Sequence, residues 1–531
     1  MKTSVVTALM IFCIYSFALQ NQDFVYDDAE KVKGVVFHDI TGNGLYEPGK
    51  DMPLEGVAVA NGREISITDG DGVYELPVKD NSAIFVIKPQ NWMTPVDEKQ
   101  LQRFYHIHST EGAGGPRYRG LLPTGPLPES LNFPLYPAEE PDSFKVLVFG
   151  DTQVRNKQEV YYVARDALAE LKNTDAVFGV TLGDNVFDDL DVFDPLIDGI
   201  STVGIPWIYV SGNHDIDLSA DNNTDARGAW YRTFGPSYYS FSYGPAHFIV
   251  LDNIRWIVDD DERYYRTGLG EDQMEFLSNE LSRLDSDRLV VFLAHIPWTG
   301  STAWKSDAEQ QAFYEIIAGH PNSVSLVSHT HRHYHQFIDD DQGFPGDQPH
   351  HMISVATLCG AWWTGAPDEY GIPHAMAYDG TPTSYTFLHI NDNEWKMSWK
   401  GSRKPADFQM QIYAPESLTV EETPDMIITA NIFNALPSAD VRIRIGEDGQ
   451  WMDMERVRRP DPIRRAVADR ERELGDVPWI NLWGGASDCE HIWEVKPGLR
   501  LEPGAYTIDV TASDDWWEYK GRNIIFVYSE D

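Results

Sequence analysis

Cysteine is nearly missing from this chain: there are three in 531 residues, and Cys13 lies inside an apolar N-terminal stretch without the small residue before it that a lipidation site needs. The other two, Cys359 and Cys489, fall in what read as different domains. Two distant thiols make no disulfide framework, so both read as buried small residues. Positive charge is scarce as well. Lys+Arg number 42 against 83 Asp+Glu, a formal net charge of −41, and a surface of that sign repels nucleic-acid phosphates and anionic bilayers, which argues against tracking along a phosphate backbone. Simple solubility or adaptation to salt accounts for the acidity. Internal repeats are not evident, and at the N-terminus the apolar stretch runs only from Val5 to Tyr15, short for a membrane anchor. With Lys2 before it and Ser16-Phe17-Ala18 after it, that stretch has the form of a signal peptide, residues 1–18, cleaved ahead of Leu19. The expectation is a secreted or periplasmic protein with no membrane span in the mature chain.

What the chain does have is core material: 42% hydrophobic residues, with 12% aromatic. Its length suggests about three domains. From residue 30 to 137 short apolar segments alternate with turns, as in Gly34-Val35-Val36-Phe37, Val57-Ala58-Val59 and the Asp69-Gly70-Asp71-Gly72 turn before Tyr74, which predicts a small β-sandwich. It resembles the prealbumin-like repeats of secreted bacterial proteins. Asp39, Asn43 and Glu47 could ligate calcium there, although turn chemistry alone explains them. Leu121 to Pro141 reads as a Pro- and Leu-rich linker. Residues 143–400 read as layered α/β, with Val160, Val163, Ala164, Ala167, Leu168 and Leu171 at helical spacing between two strands, and Met274, Leu277, Leu281 and Leu284 repeating the pattern. Residues 401–531 read as a second β-sandwich, with strands at Met426-Ile427-Ile428, 441–445, 506–510 and 524–527, and the mixed-charge stretch Arg458 to Arg472 as a solvated helix or loop.

Five apolar runs of the middle region end in polar clusters. Val146 to Phe149 runs into Gly150-Asp151-Thr152-Gln153; Val177 to Leu182 into Gly183-Asp184-Asn185; Ile208 to Val210 into Gly212-Asn213-His214-Asp215; Leu289 to Leu293 into His295; Val324 to Val327 into His329-Thr330-His331. Continuous apolar runs are what strands buried on both faces look like, and ligand sites gather where such strands end. The clusters supply Asp151, Gln153, Asp184, Asn213, His295, His329 and His331, which is carboxylate, amide oxygen and imidazole without thiolate. That set suits divalent transition metals, and it is too large for one tetrahedral ion.

In this order the blocks resemble the calcineurin-like metallophosphoesterase superfamily, whose pattern is D-x-H, G-D, G-N-H-D/E, a lone His and G-H-x-H. Gly360-Ala361-Trp362-Trp363, Gly371 to Met376, Asp379 to Pro382 and His491 to Glu494 extend the likeness to a secreted bacterial subgroup with a β domain on either side of the phosphoesterase domain. The resemblance implies a layered α/β fold flanked by two small all-β sandwiches, and a hydrolase of phosphate esters using two divalent cations (Mn, Fe, Zn or Mg, with Mn favoured). Asp151, Gln153, Asp184 and His331 would hold one cation, and Asp184, Asn213, His295 and His329 the other, with a bridging hydroxide attacking phosphorus in line. It also implies that His214 protonates the leaving oxygen and that Asp215 orients His214. Gln153 departs from the pattern, where the wider family has His; its weaker amide oxygen favours harder ions such as Mn²⁺ or Mg²⁺.

Other polar residues read more plainly. Of His333 and His335, one is expected to pack and the other to be solvated. His374 after Trp362-Trp363 belongs either to a substrate rim or to a packed aromatic cluster. Asp252-Asn253 lines the site or caps a strand, and His320 and His247 are structural or surface residues. Diester and monoester hydrolysis need the same metal clamp; the lack of an obvious Arg cluster leans towards diesters. The alternatives are a phosphomonoesterase with the same site, or a surface-binding scaffold whose β domains grip glycan or a partner.

Overall fold

The computed structural model describes residues 30–259, 262–300, 304, 306–481 and 484–529, so the expected signal segment lies outside the described residues. The strand Glu30–His38 begins an N-terminal sandwich. It pairs with Val73–Val78, Met52–Pro53 and Phe133–Pro137, and faces a sheet of Ile65–Ile67, Ala58–Ala60, Ser82–Val86 and Tyr105–His108. The linker expected at Leu121 to Pro141 is thus partly a strand: Phe133–Pro137 runs parallel to Glu30–His38, with Val36 opposite Phe133, because Phe133 and Leu135 bury against the sandwich core. In the loop proposed for calcium, the Asp39 carboxylate accepts from Gly42 N at 2.7 Å, Gly44 N at 2.8 Å and the Tyr136 hydroxyl at 2.8 Å. Its oxygens accept from the loop's own amides, which is turn chemistry, and from a tyrosine of the neighbouring strand.

In the middle domain the strands are numbered β1 (Ser143–Phe149), β2 (Ala176–Thr181), β3 (Trp207–Tyr209), β4 (Tyr239–Tyr243), β5 (Ala246–Val250), β6 (Val290–Leu293), β7 (Ser323–Val327), β8 (Tyr334–Ile338), β9 (His350–Ser354), β10 (Ser384–Asn391) and β11 (Glu394–Gly401). They form two sheets, ordered β3-β2-β1-β10-β11 and β4-β5-β6-β7-β9-β8. β1, β2 and β3 are parallel to one another, as are β5, β6, β7 and β9. Helices α1 (Lys157–Val163, continued to Leu171 through a π turn at Ala164–Leu168) and α2 (Phe193–Ser201) cover the first sheet; α3 (Glu271–Leu281) and α4 (Asp307–Ile317) cover the second. Alternation within single strands builds these layers. Val146 and Val148 of β1 meet Val291 and Leu293 of β6 in the core between the sheets. Leu147 and Phe149 face the cores under α1 and α2, while Val290 and Phe292 face those under α3 and α4. Burial on both faces is why these runs contain no polar residue.

The C-terminal sandwich stacks Met410–Tyr413, Ile428–Ile432, Asp488–Val495 and Glu455–Pro460 against Ser417–Thr419, Glu518–Tyr528, Gly504–Ser513, Asp440–Ile445 and Met452–Asp453. Its first expected strand starts later than Met426, since Ile427 is exposed. The expected solvated segment Arg458 to Arg472 contains helix α5 (Pro462–Leu474), which buries Arg464, Val467, Ala468 and Glu471. One face of α5 is therefore packed, with the Arg464 guanidinium 5.5 Å from the centre of the Tyr378 ring. Among the described residues no helix is long and apolar enough to cross a membrane.

Candidate metal centre

The loops after β1, β2, β3, β6 and β7 leave their sheets at the same end of the sandwich and converge. The approach is tight enough to require glycine at two points. A Cβ on Gly183 (φ 86°) would lie 2.5 Å from the His295 ring, and one on Gly212 would lie 2.1 Å from the Asp184 backbone nitrogen. Four of the candidate ligands are themselves held in the left-handed region: Gln153 (φ 37°), Asp184 (φ 46°), His329 (φ 67°) and His331 (φ 51°). Such backbone strain persists only where surrounding contacts over-determine it, and it concentrates at functional sites.

All seven expected ligands are brought together. Asp184 Oδ2 lies 3.1 Å from Gln153 Nε2 and 3.1 Å from His295 Nε2. His295 Nε2 is 3.2 Å from Asn213 Oδ1 and 3.1 Å from His329 Nδ1. Asp151 Oδ2 is 3.2 Å from His331 Nε2, while Asp151 Oδ1 accepts from the Ser328 hydroxyl and from His329 N. Asp184 therefore stands between the two groups. His329 is half-buried and the other six ligands are buried.

The hydrogen-bond roles show what this arrangement needs. His295 Nδ1 lies 2.8 Å from the Leu182 carbonyl, and His331 Nδ1 lies 2.5 Å from that of Gly360. A carbonyl only accepts, so each Nδ1 carries the proton and each neutral ring turns a bare Nε2 lone pair inward. The Asp184 and Asn213 oxygens and the bare Nε2 of His295 then face one another with His329 Nδ1 beside them, as do Asp151 Oδ2 and His331 Nε2, and Asp151 Oδ2 is buried without a hydrogen-bond donor. Converging lone pairs repel unless a proton or a cation sits among them. Asp184, His295 and His329 each place a ligand atom within 4.8 Å of the others, so the residues fit divalent cations. With protons alone, burial disfavours the His295 imidazolium, but the Asp184 and Asp151 carboxylates outweigh it and raise its pKa to about 9.

His214 sits beside this cluster, its backbone N donating to Asp184 Oδ1 at 2.9 Å. Its ring does not meet Asp215. The partner is Asp188, whose Oδ1 is 2.6 Å from His214 Nδ1. Asp215 instead accepts from Gly212 N at 2.9 Å, Asn185 N at 3.1 Å, Asn185 Nδ2 at 2.9 Å and Val186 N at 3.1 Å. The orienting role expected of Asp215 is corrected accordingly: its oxygens are committed to bracing the Gly183 loop against the Gly212 loop. Asp188 was legible only as one of two acids following the Gly-Asp block. Burial works against protonating His214, yet Asp184 and Asp188 outweigh it and raise its pKa.

Aromatic rings surround the centre. Phe187 stacks on His214, with ring centres 4.5 Å apart and planes at 21°; Trp362 lies 4.7 Å from the His331 ring; Tyr265 meets His329 edge-on at 6.4 Å. Cys359 Sγ is 3.8 Å from both Gln153 Oε1 and His331 Nδ1, closer to the ligands than its sequence context suggested. His374 is exposed. Asp252 pairs with Arg227 at 2.6 Å, and Asn253 clamps the backbone of Ile296, so both serve structure. His247 is buried 2.9 Å from Glu280, and His320 is buried. Against expectation both His333 and His335 are buried, because the C-terminal domain covers them: His333 Nε2 lies 3.0 Å from Asn434 Oδ1 and the His335 ring lies 5.3 Å from that of Trp516.

Comparison with known proteins adds a family to this geometry. The calcineurin-like phosphoesterase pattern matches residues 144–334, the N terminal of calcineurin-like phosphoesterase matches 40–116, and the C terminal of calcineurin-like phosphoesterase matches 353–519. The chain belongs to the calcineurin-like phosphoesterase family. The family's C-terminal part begins within β9 and takes in β10, β11 and the loop carrying Cys359, Gly360 and Trp362, so it completes the first sheet and one wall of the centre. Purple acid phosphatase 15 of Arabidopsis thaliana is 29% identical over 143 residues, which is 24% of this chain and 25% of that relative. The chain thus matches about a quarter of that relative's length. Among solved structures, a dimetal phosphatase from Danio rerio aligns at 14% identity and TM-score 0.37, covering 49% of this chain and 96% of its own. A purple acid phosphatase from yellow lupin (Lupinus luteus) seeds aligns at 12% identity and TM-score 0.38, covering 71% and 68%.

Proposed function

We propose that this protein is an exported, metal-dependent hydrolase of phosphate esters, acting on diesters or broadly across esters. The observation that carries the reading is the inward convergence of ligand atoms from Asp151, Asp184, Asn213, His295, His329 and His331. Asp151, Gln153, Asp184 and His331 would hold one cation, and Asp184, Asn213, His295 and His329 the other. Two divalent cations, when bound, supply the Lewis acidity that a phosphoryl centre and an attacking water require. Carboxylate and amide oxygens on the Gln153 side favour a hard ion, with Mn²⁺ first.

The chain's own residues do the rest. His214 delivers a proton to the departing oxygen, Asp188 fixes its ring and keeps it basic, and Phe187 shields one ring face from water. The preference for diesters rests on the arginines nearest the site blocks in sequence. Arg155 is committed to Glu159 and the Trp362 carbonyl, Arg227 to Asp252, and Arg332 donates to the Asp488 carbonyl. Arg155 and Arg227 are thereby spent on buried partners, which supports the diester reading. Export is supported by the sequence of residues 1–18, whose charged, apolar and small-residue regions follow the signal pattern.

The test is hydrolysis of an aryl phosphodiester and the matching monoester by metal-stripped protein refilled with Mn²⁺. Turnover should require metal and fall about 10²- to 10⁴-fold in His214→Ala. Metal-independent turnover, or none with any divalent cation, would refute the reading.

A further inference from the structure

The loop after Cys359 holds two successive non-glycine residues in the left-handed region, Trp362 (φ 58°) and Trp363 (φ 50°). Each such residue costs on the order of 1 kcal/mol or more, and a consecutive pair survives only if the surroundings impose it. They do so here. The Trp363 ring is buried, and its Nε1 donates to the Thr152 carbonyl at 2.9 Å, between Asp151 and Gln153. The Arg155 guanidinium, paired with Glu159, donates to the Trp362 carbonyl at 2.8 Å and to that of Trp363 at 3.4 Å. The consequence of this anchoring is the placement of Trp362: half-buried, over His331, with Tyr378 at 5.7 Å and Phe187 edge-on at 6.4 Å.

Phe187 is likewise half-buried and lies on the face of His214, the residue placed at the leaving oxygen. Across the centre, Tyr265 comes from a two-stranded ribbon, Ile254–Asp259 with Glu262–Thr267, that belongs to neither sheet. Its ring meets His329 edge-on and is 38% exposed. Flat rings therefore stand at three sides of the metal cluster, beside His214, His331 and His329. A packing role alone does not call for a tandem of strained tryptophans with one anchored beneath the ligand loop.

Resting on the phosphoesterase reading above, we propose that Trp362, Phe187 and Tyr265 form the specificity wall for the organic part of the substrate, which is a phosphodiester carrying a flat aromatic group. Aromatic rings recognise such a group by offset or edge-to-face stacking.

The experiment keeps the leaving group constant and varies the retained ester: p-nitrophenyl phenyl phosphate against methyl p-nitrophenyl phosphate, with the Mn²⁺-loaded full chain. Wild type is expected to favour the phenyl ester in kcat/KM by about tenfold or more. In Trp362→Leu and Phe187→Leu, which keep apolar bulk, and in Tyr265→Ala on the separate ribbon, that ratio should fall to within about twofold, while metal content measured alongside stays at the wild-type value. A wild-type ratio near one, or a ratio that all three variants preserve, would overturn the inference. Failure of wild type to turn over either ester would instead remove the phosphoesterase reading, and this inference with it.

Discussion

His214 Nδ1 lies 2.6 Å from Asp188 Oδ1, while the carboxylate of Asp215, its neighbour in sequence, accepts from Gly212, Asn185 and Val186 instead. Asp188 follows β2 and His214 follows β3, so the pair ties two strand ends together and fixes the ring, which in the proposed reaction turns His214 Nε2 to the substrate. Asp188→Asn should lower kcat about 10- to 100-fold, the usual effect of losing an outer partner. It should also move the alkaline limb of the kcat profile to lower pH, because the Asp188 charge that raises the pKa of the proton-donating His214 is gone. Metal content should be unchanged. Asp215→Asn should behave differently: with the Asn185, Val186 and Gly212 donors poorly matched, both metal content and thermal stability should drop. Steady-state kinetics and metal analysis of the two variants separate these roles, and equal behaviour would sink the assignment.

Much of this centre was legible because each ligand ends a strand buried on both faces, and apolar runs of that kind announce themselves without any knowledge of pairing. Asp151, Asp184, His295 and His331 could be read for that reason. What stayed hidden depends on the angle at which loops meet. Asp188 and Asp215 are both acids near the right blocks, and only the turn after Gly183, with Asp188 at φ 62°, decides which one faces His214. The fate of His333 and His335 was hidden for a different reason: two apart, they share a face only if the strand is regular, and one is expected to be solvated, but Asn434 and Trp516 of the C-terminal domain lie against them, which local sequence does not encode. The strand Phe133–Pro137 was masked by its prolines, which read as linker yet are tolerated at a sheet position with few backbone donors to satisfy.

Gln153 is proposed to hold one of the two cations. Its amide lies against Asp184 and beside Cys359, and an amide oxygen is a weaker donor than imidazole. Gln153→His should hold metal more firmly through dialysis against a chelator and shift preference from Mn²⁺ towards Zn²⁺ or Fe. Gln153→Ala should lose one cation per chain more readily than wild type. Metal content after graded chelation reads both; retention that is the same in all three proteins would show that Gln153 holds no cation.

Acid sensitivity should trace in part to Glu280 on α3, which is fully buried. It accepts from the Ser240 hydroxyl at 2.8 Å and from Arg283 at 2.8 Å, and lies 2.9 Å from His247 Nε2. Burial pushes its carboxyl up, but the His247 and Arg283 partners outweigh that and bring its pKa down to about 2, from an ordinary value of 4.5. A depressed folded-state pKa contributes stability that is full above the unfolded value and is lost as pH falls from about 4.5 towards 2. Glu280→Gln should cost about 3–5 kcal/mol at neutral pH by stranding the buried partners. It should also flatten the fall in unfolding midpoint across that acid window. An unchanged acid slope in the variant would assign the sensitivity to other carboxylates.

The C-terminal sandwich should be a structural necessity for the catalytic domain, since the edge of the first sheet is finished by its contacts. Trp517 Nε1 donates to the Met397 carbonyl of β11 at 2.6 Å, and Lys396 Nζ lies 3.9 Å from the centre of the Trp517 ring. Asn434 Nδ2 donates to the same carbonyl at 3.1 Å while its oxygen meets His333 two residues beyond His331. On the other side, Asp379 accepts from His333 N at 2.6 Å and lies 3.4 Å from His491 Nε2. Removing residues from 402 onwards would therefore strip the cover from β11 and take away the Asn434 partner of His333 and the His491 partner of Asp379, each loss costing about 1–3 kcal/mol. The truncated chain is expected to be insoluble or to unfold well below the full chain. Trp517→Phe, which deletes the hydrogen bond but keeps the ring, should cost only about 1 kcal/mol and leave kcat near wild type. Thermal unfolding and solubility measure both, and a truncation that is soluble and fully active would show that the interlock does not support the catalytic fold.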